Sequence, residues 1–150
     1  MPILSSNKKA FVDYHISEKI ECGVVLTGPE VKSVRLGQVN LKGSYIEISE
    51  KWEVWMKNVH ISPYKQATTL LKDYNPTAKR KLLLNHKEII KLFNELKKKG
   101  ITAIPLDFHT NRNLIKVTIG LGQGKKQHDK RDDLKKKAAQ LEMKRAVKKY

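Results

Sequence analysis

Two stretches of strict alternation constrain what this chain can fold into. Ile20, Cys22, Val24 and Leu26 occupy every second position, and so do Ile115, Val117, Ile119 and Leu121. A period of two puts successive side chains on opposite faces of an extended backbone, so both stretches read as strands with one buried face. Val12, Tyr14 and Ile16 alternate ahead of the first, with Ser17-Glu18 as the expected turn between them. Ile104, Leu106 and Phe108 alternate ahead of the second, where Pro105 favours an edge position because it lacks an N–H to donate. Asn111-Arg112-Asn113 turns the chain between the last two strands. Gly43 to Ser49 and Trp52 to Ile61 read as a hairpin around Glu50-Lys51, with Trp52 and Trp55 on opposite faces, one of them in the core.

Two segments carry helix signals. Thr27 can cap a helix that begins at Gly28-Pro29, Glu30 completes a capping box, and Gly37 can end it in a left-handed conformation. Val31 and Val34 would face the core, while Lys32 and Arg35 share another side. Asn85 and Glu88 form a second capping box, followed by the stripe Ile89, Leu92, Phe93 and Leu96 and a stop at Gly100. Met1 to Asn7 read as a flexible lead-in. From Tyr64 to Lys81 periodicity fails, which marks a functional or disordered loop. About six short antiparallel strands with an inserted helix are best satisfied by a small closed barrel, which removes the sheet edges. An oligonucleotide-binding-type barrel is the natural candidate, and an open α+β sheet is the alternative.

Charge names a class of partner. The chain carries 31 Lys and Arg against 15 Asp and Glu, a formal charge of +16. Eleven basic and four acidic residues lie from Leu121 onward, a charge of +7; the other twenty basic and eleven acidic residues give the body +9. Both parts therefore suit a polyanion. Residues 1–122 read as the folded body and 123–150 as a basic tail. Gly120-Leu-Gly122-Gln-Gly124 is expected to be a flexible exit from the last strand. It is no P-loop: three residues separate Gly120 from Gly124, and Lys126 stands where a hydroxyl should follow Lys125. Leu134, Ala138 and Leu141 make a thin helical stripe in a lysine-dense segment, marginal alone, so the tail is expected to be disordered when free and helical against RNA.

Several chemistries lack their residues. Cys22 is the one cysteine, which leaves no disulfide framework. His15, His60, His86, His109 and His128 have no partners at metal-ligand spacing, and neither GxSxG nor HExxH occurs. No cofactor, metal or bond-changing activity is expected. The N-terminus lacks the apolar run of a signal peptide, and nothing approaches the roughly 20 apolar residues of a membrane span, so a cytoplasmic protein without a membrane partner is expected.

Asn7-Lys-Lys-Ala10, Gly28 to Gly37 (GPEVKSVRLG), Val39-Asn-Leu-Lys42, His60-Ile-Ser-Pro-Tyr64, Arg80-Lys-Leu-Leu-Leu84 and Gly124-Lys-Lys-Gln-His-Asp-Lys-Arg131 occur in that order. Together they resemble the small protein B family of bacteria, the SsrA-binding proteins, over essentially the whole chain. The resemblance implies an oligonucleotide-binding-type barrel, a monomer, and transfer-messenger RNA as partner. Such a protein binds the tRNA-like part of that RNA, accompanies it to stalled ribosomes and catalyses nothing itself. Elongation factor Tu would meet it indirectly, through the charged RNA. Asn7, Lys8, Glu21, Lys32, Ser33, Arg35, Lys79, Arg80 and Lys81 would face the tRNA-like domain. Gly124, Lys125, Lys126, His128, Asp129, Lys130, Arg131, Lys135, Lys136 and Lys137 would enter the decoding centre in the A site of the small subunit and the messenger channel. His128 would stack on an rRNA base. Phe11-Val12 departs from a common Arg-His pair, and the residues before Arg80 depart from an Asp-Pro-Thr-Arg-Thr pattern. Outside the family, a general single-strand RNA binder expects aromatics grouped on strands, whereas Tyr14, Tyr45, Trp55 and Phe108 are scattered. A ribonuclease using His60 or His128 is the third reading.

Overall fold

The computed structural model describes residues 2–64 and 73–125. These form β1 (Ile3–Ser6), α1 (Lys8–Asp13), β2 (Tyr14–Val24), α2 (Gly28–Arg35), β3 (Val39–Asn40), β4 (Tyr45–Ile48), β5 (Val54–Lys57), β6 (His60–Ile61), β7 (Arg80–Leu83), α3 (His86–Leu96), β8 (Ile101–Asn111) and β9 (Leu114–Gly124). One seven-stranded antiparallel sheet runs in the order β1-β8-β9-β2-β7-β5-β4, and β3 pairs with β6 beside it. The sheet curls until β4 packs on β8, although no hydrogen-bonded ladder joins these two among the described residues. The architecture is the expected mainly antiparallel β body with peripheral helices, an oligonucleotide-binding-type barrel left unclosed by backbone pairing. The expected terminal helix lies outside the described residues.

Phe108, Met56, Ile61, Leu41, Val34 and Leu92 fill the interior of the curl. A smaller cluster of Ala10, Ile104 and Leu106 sits under α1 on the other side. β8 serves both because its ladder slips between Pro105 and Asp107. A bulge adds one residue and reverses which face each following side chain meets. Ile104 and Leu106 therefore face α1 while Phe108 faces the main core, so the three do not share one face. Pro105 occupies this bulge in a strand flanked by β1 and β9, rather than an edge. Ser17-Glu18 is likewise a bulge within the continuous β2, not a turn, and Val12 belongs to α1.

Local signals hold closely. Both capping boxes form, at Thr27–Glu30 and Asn85–Glu88. Gly37 and Gly100 adopt φ +74° and +80°. Arg112 and Asn113 both have positive φ, the two-residue hairpin geometry that matches strand twist. The expected lead-in is instead β1, paired with β8. The second arm of the β4–β5 hairpin ends at Lys57, and His60–Ile61 leaves to pair with β3. Trp52 lies in the hairpin turn, half exposed, with its ring centroid 4.9 Å from that of Phe93 on α3. Neither tryptophan is among the buried core residues.

Candidate nucleic-acid interface

Glu21 points outward from β2, as its place between the buried Ile20 and Cys22 requires. Its Oε2 lies 2.7 Å from His109 Nε2, and its Oε1 accepts from Asn111 Nδ2 at 3.1 Å. These hydrogen bonds, from His109 foremost, hold the Glu21 carboxyl below the ordinary value. The other side of the His109 ring is also occupied, with Nδ1 at 2.7 Å from Asp107 Oδ1 and 3.4 Å from Thr118 Oγ1. Burial pushes the imidazole down, but the bonds to Glu21 and Asp107 outweigh it and leave His109 raised. The result is a fixed pair of carboxylates around one ring, on the outer side of β2, β8 and β9.

Arg35 reaches the same corner from the end of α2, donating from Nη2 to the Asn113 carbonyl at 2.8 Å. Gly23 pairs with Leu83 of β7, and a Cβ on Gly23 would stand 3.3 Å from the Leu83 Cβ. The β2–β7 and β2–β9 pairings and the end of α2 thus gather Leu83, Lys116 and Arg35 around one open groove of about 280 Å³, lined also by Gly23, Val31 and Leu114; Glu21 lies two residues along β2 from Gly23, outside that lining. Leu83 and Leu114 are 53% and 61% exposed, so the groove offers apolar surface rimmed by cations. Such a surface can take a nucleobase or ribose face while Arg35 and Lys116 meet phosphates.

Lys79, Arg80 and Lys81 separate from one another. β7 alternates, so Arg80 turns inward while Lys81 is exposed beside Trp55 in the β5–β7 ladder. Lys79 Nζ stands 4.3 Å from the Trp55 ring centroid, a cation–π contact. Lys32 is exposed, 5.3 Å from the Tyr64 ring centroid. Ser33 is fully buried, and Asn7 is 5% exposed. Asn7 caps α1 through Oδ1, which accepts from the Ala10 N–H, and its Nδ2 donates to the carbonyls of Leu41 and Pro105. Asn7, Ser33 and Arg80 therefore shape the surface from inside, while Lys8, Glu21, Lys32, Arg35, Lys79 and Lys81 lie on it. His109, Asn111, Leu114 and Lys116 also stand at this corner; from the sequence, His109 is one of five histidines without metal-ligand spacing and Asn111 a turn residue, and none of the four is assigned to the interface. The outward parity of the β8–β9 hairpin could have signalled them.

Gly124 and Lys125 sit at the other end of β2. Gly124 pairs with Tyr14, the Lys125 N–H donates to the Asp13 carbonyl at 2.8 Å, and Lys125 Nζ donates to the Phe11 carbonyl at 3.1 Å. Lys8 lies on the same helix, α1. From Tyr14 to Glu21 the strand covers on the order of 20 Å at about 3.3 Å per residue. The glycine segment, expected as a flexible exit from the last strand, is instead part of β9, paired with both β2 and β8 through Gln123 and with β2 at Gly124. Lys126, His128, Asp129, Lys130, Arg131 and Lys135 to Lys137 lie outside the described residues. Among the described residues no cluster of His, Cys, Asp and Glu is arranged to hold a metal ion, and no helix is long and apolar enough to cross a membrane.

The family model described as SmpB protein matches residues 4–149. The SsrA-binding protein of Bacillus subtilis (strain 168) is 48% identical over 144 residues, covering 96% of this chain and 90% of that protein. That of Desulfitobacterium hafniense (strain DSM 10664 / DCB-2) is 47% identical over 143 residues, covering 95% and 90%. A solved chain described as "tmRNA-SmpB: a journey to the center of the bacterial ribosome" superposes with a TM-score of 0.68 at 39% identity, over 85% of this chain and 87% of that one. Match length and identity agree from one end of the chain to the other: it belongs to the SmpB protein family.

Proposed function

We propose that this chain is a non-catalytic RNA-binding protein that grips the tRNA-like domain of transfer-messenger RNA and delivers it to stalled ribosomes. Its relatives are named for SsrA binding, and its solved neighbour is described with transfer-messenger RNA at the ribosome. The observation that carries the reading is the groove lined by Arg35, Leu83, Leu114 and Lys116, with Glu21 two residues along β2 from its Gly23, at the opposite end of β2 from Lys125. One end of β2 suits the grip on RNA; the basic residues that follow Lys125 in the sequence act at the ribosome. Glu21, Lys32, Arg35, Lys79 and Lys81 contact the tRNA-like domain, and Asn7, Ser33 and Arg80 hold the elements that carry them. Lys8, exposed on α1, joins the contact with the tRNA-like domain. In the tail, His128 stacks on an rRNA base in the decoding centre, Lys130 and Arg131 contact the backbone, and Lys135 to Lys137 follow the empty messenger channel. A channel filled by message leaves no room for it. Elongation factor Tu is met only through the charged RNA, and the site of action is the cytoplasm.

The test compares the full chain with a version ending at Lys125, which keeps the anchor to α1. Binding to the tRNA-like domain is expected to survive, and peptide tagging on ribosomes stalled at a truncated message is expected to disappear. Equal affinity of the full chain for single-stranded RNA and for the tRNA-like fold would overturn this reading in favour of general RNA binding.

A further inference from the structure

His109 has a carboxylate at 2.7 Å on each ring nitrogen and is 4% exposed. A neutral imidazole has one N–H and one lone pair. It can donate to Glu21 or to Asp107, but then turns its lone pair on the other carboxylate. Only the imidazolium donates to both, so the arrangement around His109 is that of a charged ring.

The location gives this consequence. Glu21 stands on a surface otherwise suited to a polyanion, where a bare carboxylate repels phosphate. Its useful contacts are as an acceptor, from a base amine or a ribose 2′-hydroxyl. That requires both oxygens to be held, and they are: Oε2 faces His109 and Oε1 accepts from Asn111. The charged groups around the ring come from three strands. β2 brings Glu21, β8 brings Asp107, and β9 brings Lys116 opposite His109 in the ladder; β1, paired through Ile3, brings no charged side chain. Arg35 reaches the same hairpin at Asn113. With the ring protonated, one positive charge offsets the two carboxylates. With the ring neutral, the corner becomes more negative by one unit and one carboxylate loses its donor.

We propose that His109 is a positioning residue for RNA binding: as an imidazolium bridging Asp107 and Glu21 it presents Glu21 to RNA, and binding weakens as the ring loses its proton. The proposal rests on the RNA-binding reading above. It adds a residue that touches no RNA and makes the grip pH-sensitive. Affinity is full while the ring is charged and falls as pH rises through the ring's raised titration point.

The experiment measures affinity of the full chain for the tRNA-like domain at constant salt over a pH series from about pH 6 to about pH 9, which begins near the ordinary histidine value and extends above it, the direction in which His109 is displaced. The wild type is compared with Asp107→Asn and His109→Asn, and the His109 ring proton is followed by NMR. In the wild type, affinity is expected to drop about fivefold across the histidine titration, the loss for one unit charge a few ångströms from a phosphate in water. Asp107→Asn keeps the shape but removes one carboxylate, so both the ring titration and the affinity midpoint should move to lower pH together. His109→Asn should bind weakly with no such step. If His109→Asn fails to fold, the Asp107→Asn shift decides alone. Superimposable wild-type and Asp107→Asn affinity profiles, with RNA bound normally, would overturn the role of His109 and leave the function intact. No binding at any pH would overturn the function and this inference with it.

Discussion

Arg80 and Glu30 form a buried ion pair, with Arg80 Nη2 2.6 Å from Glu30 Oε2 and the side chains 3% and 8% exposed. Arg80 Nε donates to the same oxygen at 2.9 Å, and Nη1 donates to the Val59 carbonyl at 2.6 Å. The Tyr74 hydroxyl lies 3.1 Å from Glu30 Oε2 and donates to the Ile61 carbonyl at 2.9 Å. Burial pushes the Glu30 carboxyl up, but bonds from Thr27 and Arg80 outweigh it and hold it low. One pair thus ties β7 to α2 and to the β5–β6 connection.

Removing one partner should leave an uncompensated charge inside the fold. Arg80→Met is expected to cost about 3–5 kcal/mol of stability, and Glu30→Gln with Arg80→Met together less than the sum of the two single changes. Urea unfolding of the three variants checks this. A cost under about 1 kcal/mol for Arg80→Met would show that the pair is dispensable.

Gly120 lies against Leu106, and a Cβ there would stand 2.6 Å from Leu106 Cδ1 and 2.8 Å from its Cγ. Leu106 is 2% exposed beneath α1 and has no room to retreat. Gly120→Ala should therefore destabilise by about 1–3 kcal/mol, the usual cost of overpacking, and a smaller residue at Leu106 should recover part of it. A melting curve for the alanine variant that overlays the wild type would show that the close approach is unnecessary.

Cys22 is buried, with Sγ donating to the Val117 carbonyl at 3.5 Å. Burial pushes its thiol up to about 12. The thiolate is the reactive form, so the native chain should resist alkylation at neutral pH and react only on unfolding. Native labelling with iodoacetamide as fast as in urea would contradict that environment.

Much of the local structure was legible because its causes are local. Thr27 and Glu30, or Asn85 and Glu88, sit within one helical turn and satisfy each other's backbone partners wherever the helix later docks. Alternation fixed Glu21 as outward for the same reason. Where the ladder slips, the sequence misled in two ways: at Pro105 the alternation looked unbroken while the faces reversed, and at Ser17-Glu18 a bulge within one strand looked like a turn between two. A bulge is set by the partner strand, which no short window contains.

The candidate site divides along the same line. The sequence by itself determined that the chain is basic in body and tail, that Glu21 lies on a strand surface, and that Arg35 ends a capped helix. Only the tertiary structure decided that Asn7 is internal, since its Nδ2 meets the Pro105 carbonyl 98 residues away. It alone turned Arg80 from a surface cation into the partner of Glu30, 50 residues distant. It alone set His109 between Glu21 and Asp107, because two strands far apart in the chain had to align before both ring nitrogens could meet a carboxylate. Charge and periodicity are properties of neighbours. Which polar side chain finds a buried partner depends on contacts that exist only after the sheet has curled.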